Sequence, residues 1–139
     1  MAGYFDKLDG HVYDGAHKAG ETLPNGVFVE ITANGVKKLA AAGDAAFRVE
    51  EKTSLWGLPA LRLVCVDPGT KELYFVENEW EIYGDKDYDE SLYSVDEGHF
   101  VRMRRPVIND ELIMSIDATA YAAINEGDTV APAAGGSVA

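Results

Sequence analysis

From residue 24 onward, the hydrophobic positions follow the pattern of short strands separated by turns. Runs rich in β-branched and aromatic residues, such as 27–32 and 61–66, are bounded by turn residues. Asn34-Gly35 is a strong hairpin signal, because both residue types suit a tight turn. About eight runs recur at intervals of roughly 8 to 15 residues, with one short helical segment near 119–124. The pattern predicts a mainly β fold, a small β-barrel or sandwich with one short helix.

The stretch 55–59, Leu-Trp-Gly-Leu-Pro, interrupts this pattern. Its glycine and proline predict an irregular crossing between two strands rather than a regular element. The aromatic side chains of the chain, including the two tryptophans, are expected to anchor a core and an interface, and most of them are expected in the core.

Residues 1–23 differ in composition and predict an extended N-terminal arm ahead of a β domain at 24–139. Glycines alternate there with charged and aromatic residues, and the large apolar residues follow neither a period of 2 nor one of 3.6. Large apolar side chains in such a segment favour a segment that docks on a partner over a disordered terminus. Removing residues 1–20 is expected to leave the β domain folded and to abolish its binding to that partner. The candidate docking residues are Tyr4, Phe5, Leu8, Val12 and Tyr13.

The charge balance argues against nucleic acid and membranes as partners. The chain has 12 basic and 24 acidic residues, which gives a formal net charge of −12 at pH 7. Phosphate binding needs Lys and Arg to displace counterions, so such a surface repels nucleic acid and anionic lipid. No apolar run approaches the roughly 20 residues of a membrane span, and the N-terminus lacks the pattern of a secretory signal. We therefore expect a protein that is made in a cytoplasm.

The residue types that carry catalysis or bind metals do not converge on a site. The single cysteine, Cys65, lies in an apolar run, which predicts a buried side chain rather than a nucleophile. Asp85, Asp87 and Asp89 have the spacing of a calcium loop, but the next residue is a glutamate where such a loop needs glycine. No metal spacing of histidines and no phosphate-binding or hydrolase motif occurs. We expect no catalytic residue, no metal and no cofactor, and a protein that is not an enzyme.

Arg102, Arg104 and Arg105 form the densest basic cluster of this acidic chain. The cluster is short and isolated, which is unlike the extended basic surface of a nucleic-acid-binding protein. Guanidinium groups pair well with carboxylates. These three residues are therefore predicted to contact a partner or a neighbouring subunit through ion pairs.

The two ends of the chain resemble small structural proteins that tailed phages encode beside the major capsid protein. At the C-terminal end, the resemblance rests on residues 105–116 and 123–138, which include Gly127-Asp128-Thr129-Val130 and Gly135-Gly136-Ser137-Val138. At the N-terminal end, it rests on residues 1–10 and 19–26. The family in question is the head decoration, or auxiliary capsid, proteins.

That resemblance implies a compact β-barrel with an extended N-terminal segment. It also implies a role on the outer surface of the expanded shell, where such proteins bind the major capsid protein and hold adjacent capsomers together. A homo-oligomer, with a trimer favoured, and a location on the outside of the virion follow from the same resemblance. It carries over no catalytic residue.

Two other functions remain open at this point. Tail-tube and head–tail connector proteins of phages are also rich in β-structure and similar in size, and they assemble into rings or tubes. A small β-barrel that binds a ligand or calcium is the third hypothesis, and it would be favoured by a calcium-dependent rise in melting temperature.

Overall fold

The computed structural model describes residues 3–7, 13–77 and 94–139, and this part of the chain is mainly β. Its strands are β1 (Gly3–Lys7), β2 (Tyr13–Asp14), β3 (Leu23–Pro24), β4 (Phe28–Thr32), β5 (Gly35–Lys38), β6 (Ala46–Leu55), β7 (Leu58–Asp67), β8 (Tyr74–Val76), β9 (Ser94–Val95), β10 (Met103–Arg104), β11 (Glu111–Ser115) and β12 (Thr129–Val130). The short helix α1 (Ala118–Ala123) lies between β11 and β12. The predicted fold class is confirmed.

Two five-stranded antiparallel sheets enclose the main core. Sheet A has the strand order β1-β11-β7-β6-β12, and sheet B has the order β2-β10-β8-β4-β5. Strands β3 and β9 form a separate pair. The ring centroid of Phe28 in sheet B lies 5.2 Å from that of Phe75 and 5.4 Å from that of Phe47 in sheet A. Because aromatic side chains of both sheets share one core, the arrangement is a sandwich, one of the two predicted alternatives.

Sheet B also packs on its other face. Phe28 and Phe75 face the main core, whereas their neighbours Val29 and Tyr74 face away from it, as the alternation along a strand requires. The outward residues join a second buried cluster with side chains from β3, β9 and the segment 18–20. The members of this second core are Ala19, Leu23, Val27, Val29, Val36, Tyr74, Val76, Val95, Val101 and Met103.

Strands β6 and β7 form the longest hairpin, and its inner face supplies much of the main core. Leu61, Leu63 and Cys65 alternate along β7 and are fully buried. The prediction of a buried cysteine is confirmed. Burial raises the pKa of the Cys65 thiol to about 11, and the carboxylates of Asp110 and Asp67 add to the shift. The thiol therefore stays protonated, and unreactive, near neutral pH.

The first part of the predicted arm is extended, but it pairs with the protein's own sheet. Strand β1 runs antiparallel to β11, with Phe5 opposite Leu112. Phe5 is 9% exposed, and its ring packs edge-on against Phe75 at 5.3 Å. Gly3 lies so close to Gly26 that an added Cβ would be 2.7 Å from the Gly26 Cα atom. The prediction for Phe5 is therefore corrected, because its ring is part of the main core and does not face a partner.

The later part of the predicted arm joins sheet B and the separate pair of β3 and β9. Strand β2 pairs with β10, and β3 pairs with β9. Between them, Lys18 bridges to Phe100, and Ala19 bridges to Val36 and is buried in the second core. The predicted boundary at residue 23 therefore does not separate an arm from a domain. The segment lacks a regular period because its short strands serve different sheets.

The C-terminal motifs that carry the resemblance serve the fold. The Gly127 amide donates to the Val49 carbonyl at 2.8 Å, and the Gly136 carbonyl accepts from the Phe28 amide at 2.8 Å. Gly136 has a φ of 89°, and an added Cβ would lie 2.6 Å from the Phe28 carbonyl oxygen, so only glycine fits. Val138 is buried in the main core. The end of the chain thus completes the sandwich.

Helix α1 closes one end of the main core. The Asp117 carboxylate accepts a hydrogen bond from the Ala120 amide at 2.8 Å, which caps the first turn. Tyr121 packs against the core, and the ammonium of Lys52 lies 4.3 Å from the centre of its ring. Within residues 3–7, 13–77 and 94–139, no helix is long and apolar enough to cross a membrane.

Asp44 ties two loops of the sandwich together. Its carboxylate accepts hydrogen bonds from the Thr70 hydroxyl, from the Lys71 amide at 2.9 Å and from the Thr70 amide at 2.8 Å. The Thr70 hydroxyl contributes most, and together these donors hold the pKa of Asp44 well below its usual range.

Replacing Phe5 by alanine should lower the free energy of unfolding by about 3 kcal/mol, because it leaves a cavity against Phe75. Chemical denaturation of the two proteins measures this difference. A loss below about 0.5 kcal/mol would indicate a surface residue.

Deletion of residues 1–20 should also destabilise the protein, and should not leave the domain folded as the sequence predicts, since it removes Phe5 and Ala19 from the two cores.

The Asp44→Asn variant should melt at a lower temperature than the wild type at pH 7, because a neutral amide is a weaker acceptor for three donors. A carboxyl group with a depressed pKa stabilises the folded state above its unfolded pKa, and that contribution is lost as the pH falls through the folded value. The difference in melting temperature should therefore shrink at about pH 3. If the difference in melting temperature is the same at both pH values, the charge of Asp44 does not contribute to the stability of the folded state.

Candidate protein-docking site

The turn between β6 and β7 holds a tryptophan in a backbone conformation that favours glycine. Leu55 pairs with Leu58, which leaves Trp56 and Gly57 as a two-residue turn. Their φ angles are 48° and 80°, the positive values that a type I′ turn requires at both positions. This conformation costs a residue with a side chain about 1–2 kcal/mol. Trp56 therefore lowers the stability of its own turn.

The Trp56 side chain remains 46% exposed despite its size. Its ring centroid lies 6.2 Å from that of Tyr4, with the two planes tilted by 45°. Leu58 is half-buried beside them. Tyr4, Trp56 and Leu58 are called the tip patch below. Aromatic groups that are partly exposed at the end of a rigid hairpin are well suited to bind another protein.

Strand pairing explains why these side chains meet. Tyr4 lies opposite Ile113 on sheet A, and side chains directly opposite each other in a sheet share a face. Since the neighbouring Phe5 faces the main core, Tyr4 and Ile113 face outward. Tyr4 and Leu58 pack on a small buried cluster of Leu55, Ala60 and Ile113. The tip patch thus has a fixed apolar base and is not a set of isolated side chains.

Charges of both signs lie on the same outer face. Arg62 is opposite Ile113, and its Nε atom lies 3.5 Å from a carboxylate oxygen of Glu51 on the adjacent strand. Arg48 and Glu50 form a second ion pair further along β6, away from the turn. Exposed pairs contribute at most about 1 kcal/mol to stability. Arg62, in the same cross-strand row as Ile113 and Tyr4, nevertheless places a paired positive charge beside the base of the tip patch in a chain whose net charge is −12.

The structure places the predicted docking residues in different environments. Tyr4 is part of the tip patch, whereas its neighbour Phe5 is in the main core. Leu8 and Val12 lie outside the described residues. The predicted set is therefore not brought together in one surface, and Tyr4 is the member that reaches the candidate site.

The remaining predicted residues lie at the edge of sheet B. Tyr13 of β2 is opposite Arg104 of β10, so the two predicted groups meet in the backbone pairing of one strand pair. The Tyr13 side chain lies outside what the structure describes. Arg102 is exposed, and Arg104 and Arg105 are half-buried. Contacts of these arginines with a neighbouring subunit stay a prediction.

A polar cluster of Asp14, His17, Glu72 and Tyr74 lies near this edge. The Nδ1 atom of His17 is 2.9 Å and 3.0 Å from the two carboxylate oxygens of Asp14. Burial opposes ionisation of Asp14, but hydrogen bonds from His17 and the Ala16 amide outweigh it and lower its pKa. Burial raises the pKa of Tyr74 to about 12, and its hydroxyl donates to Glu72. The Tyr74 hydroxyl therefore stays protonated near neutral pH, and it donates to Glu72 and not to the Asp14–His17 pair.

Metal-ligating side chains do not gather in the part of the chain that the structure describes. No group of three or more His, Cys, Asp or Glu residues there could hold a metal ion. The acidic sequence Asp85, Asp87 and Asp89, which has the spacing of a calcium loop, lies outside the described residues. The tip patch is therefore the strongest candidate site within residues 3–7, 13–77 and 94–139.

Comparison with known proteins provides no relative. The chain matches no protein-family model, and no curated protein or solved structure shows significant similarity to it. The tip patch, the fold and the sequence resemblance of the two chain ends are therefore the features that bear on function.

The sequence prediction for residues 55–59 is wrong. The stretch is a tight hairpin turn and not an irregular crossing, because Trp56 and Gly57 alone connect two ten-residue strands. A glycine as the second of two turn residues between alternating segments was the available signal. It was obscured because the other position normally holds Asn, Asp or Gly, and here it holds tryptophan.

The Trp56→Asn variant should keep or raise the free energy of unfolding, within about 1 kcal/mol. Asn-Gly suits a type I′ turn, which offsets the lost contact between Trp56 and Tyr4. Chemical denaturation checks this expectation. A loss above about 2 kcal/mol would instead make Trp56 a structural anchor of the hairpin.

Proposed function

We propose that the protein binds the outer surface of a tailed-phage capsid and stabilises the expanded shell by bridging capsomers. The observation that carries the proposal is Trp56, a half-exposed aromatic side chain in a turn position that favours glycine. Backbone strain of this kind concentrates at functional sites. A contact outside the chain accounts for a tryptophan that its own fold does not require.

The resemblance of the chain ends to head decoration proteins supports the major capsid protein as the partner. A sandwich that includes β1 and Val138 in its main fold provides the rigid body that such a role needs, because a bridging protein must transmit load between two neighbours. The tip patch would supply the contact, and Tyr4 connects it with the predicted docking segment.

The energetics of a repeating lattice suit a small patch. Trp and Tyr are among the residues that most often carry binding energy in protein interfaces, at about 2 kcal/mol or more each when buried centrally. A patch of three side chains gives a modest affinity for one copy. Simultaneous attachment to adjacent capsomers, or through a homo-oligomer such as a trimer, multiplies that affinity without any new contact.

The net charge of −12 has a role in the same proposal. Many copies on one particle would present an acidic exterior, and particles with like charge repel one another and stay dispersed. Arg102, Arg104 and Arg105 would then form ion pairs with a neighbouring acidic copy.

Co-sedimentation of the purified chain with expanded, undecorated capsids of the same phage tests the proposal, with unexpanded shells as a control. We expect saturable binding to expanded shells alone. Trp56→Asn should weaken this binding at least about twenty-fold, the equivalent of a central interface aromatic. The matched control is Ile108→Thr, which removes another exposed apolar side chain from a turn and should bind like the wild type.

The possible results separate the function from the site. Absence of binding to either shell would contradict the capsid role, and assembly into rings or tubes would then favour a tail-tube or connector protein. Equal binding by the wild type and Trp56→Asn would retain the capsid role but exclude the tip patch as the contact.

A further inference from the structure

The chain contains two Asn-Gly dipeptides in turns, Asn25-Gly26 and Asn34-Gly35, and the fold gives them different surroundings. An asparagine followed by glycine is chemically labile, because the glycine nitrogen carries no neighbouring side chain that would hinder attack on the asparagine carboxamide. The reaction requires the carboxamide carbon and that nitrogen to approach each other. Packing around the turn decides whether they can.

The first dipeptide is held on several sides. Asn25 is only 7% exposed. The Gly26 nitrogen, which would be the nucleophile, donates a hydrogen bond to the Val76 carbonyl at 2.9 Å. On the other side, Gly3 of β1 packs against Gly26, where an added Cβ would lie 2.7 Å from the Gly26 Cα atom. Movement of this turn would disturb both the hydrogen bond to Val76 and the packing of Gly3 of β1 against Gly26.

The second dipeptide spans the end of the turn between β4 and β5, where Gly35 pairs with Thr32 and an added Cβ on Gly35 would lie 2.8 Å from the Gly20 nitrogen. Asn34 is exposed, and its backbone amide donates to the Thr32 hydroxyl at 3.2 Å. Within the described residues, no hydrogen bond restrains the Asn34 carboxamide. The exposed side chain can therefore rotate toward the Gly35 nitrogen without leaving a buried site, which Asn25 at 7% exposure cannot do, and water has access to the product.

We propose that Asn34 is a site of spontaneous deamidation and that Asn25 is protected from it. The Gly35 nitrogen attacks the Asn34 Cγ atom and forms a new C–N bond. The bond from Cγ to the side-chain nitrogen breaks, and that nitrogen leaves as ammonia with the proton from the Gly35 nitrogen. Water then opens the five-membered succinimide at one of its two carbonyls, which yields aspartate or isoaspartate at position 34.

The isoaspartyl product affects the second core. It lengthens the main chain by one methylene group beside Gly20, where an added Cβ would already lie 2.2 Å from the Asn34 carbonyl oxygen. The Gly20 amide donates to the Val36 carbonyl at 2.9 Å, and the adjacent Ala19 is buried in the second core. A longer backbone at residue 34 therefore displaces the segment that covers this core, whereas an aspartate at the same position does not.

Incubation of the full-length protein at mildly alkaline pH, with peptide mass spectrometry over time, tests the proposal. In native buffer, Asn34 should convert at least about ten-fold faster than Asn25, because a buried turn reacts only after local opening. In denaturant, the two sites should convert at similar rates. The Asn34→Asp variant should melt at the wild-type temperature, and the isoaspartyl fraction of the aged protein should melt lower.

The proposal is overturned if native Asn34 reacts as slowly as Asn25 while both react in denaturant, since the hairpin would then protect the site. Equal and fast reaction of both sites in native buffer would also overturn it, because the burial of Asn25 would then have no protective effect. An Asn34→Gln variant serves as the control for conversion assigned to position 34.

Discussion

The fold depends on the contact between aromatic rings that joins the two sheets. Phe28 lies between Phe75 of its own sheet and Phe47 of the opposite sheet, and Phe5 adds a fourth ring from the first strand. Each of these rings is on a different strand, so the cluster defines which faces of the two sheets turn inward. Once those faces are defined, the alternation along the strands places Tyr4 and the base of the tip patch on the outer face.

Much of this architecture could be predicted from local patterns, and the rest could not for identifiable reasons. Asn34-Gly35, the apolar run around Cys65 and the short helix are local signals, and each is confirmed. The role of residues 1–23 is different, because their partners are distant in sequence. Phe5 meets β11 and Ala19 meets β5, and no periodicity within the segment can reveal such pairings. Isolated apolar residues in an irregular segment suggest an external partner as readily as a distant part of the same chain.

The candidate site could be predicted from the sequence only in part, and for a different reason. The place of Tyr4 in the N-terminal segment predicts a docking residue, but nothing in the sequence predicts its neighbour Trp56, since 52 positions separate the two. The property that marks Trp56 is a conflict between residue type and backbone conformation, which appears only when the turn is known. Sequences that agree with their fold at nearly every position make such a conflict informative. Among the described residues other than glycine, Asn109 and Trp56 have a positive φ; asparagine tolerates this conformation, whereas the exposed Trp56 does not suit it.

The pairing of β1 has a consequence for biosynthesis. Strand β1 must wait for β11, because Gly3 pairs with Met114. A nascent chain therefore cannot place Phe5 in the main core until β11 has left the ribosome. Until then the edge of sheet A that β1 covers stays unpaired, and partly folded species of this kind are prone to aggregate. The acidic character of the chain would help to keep such copies apart.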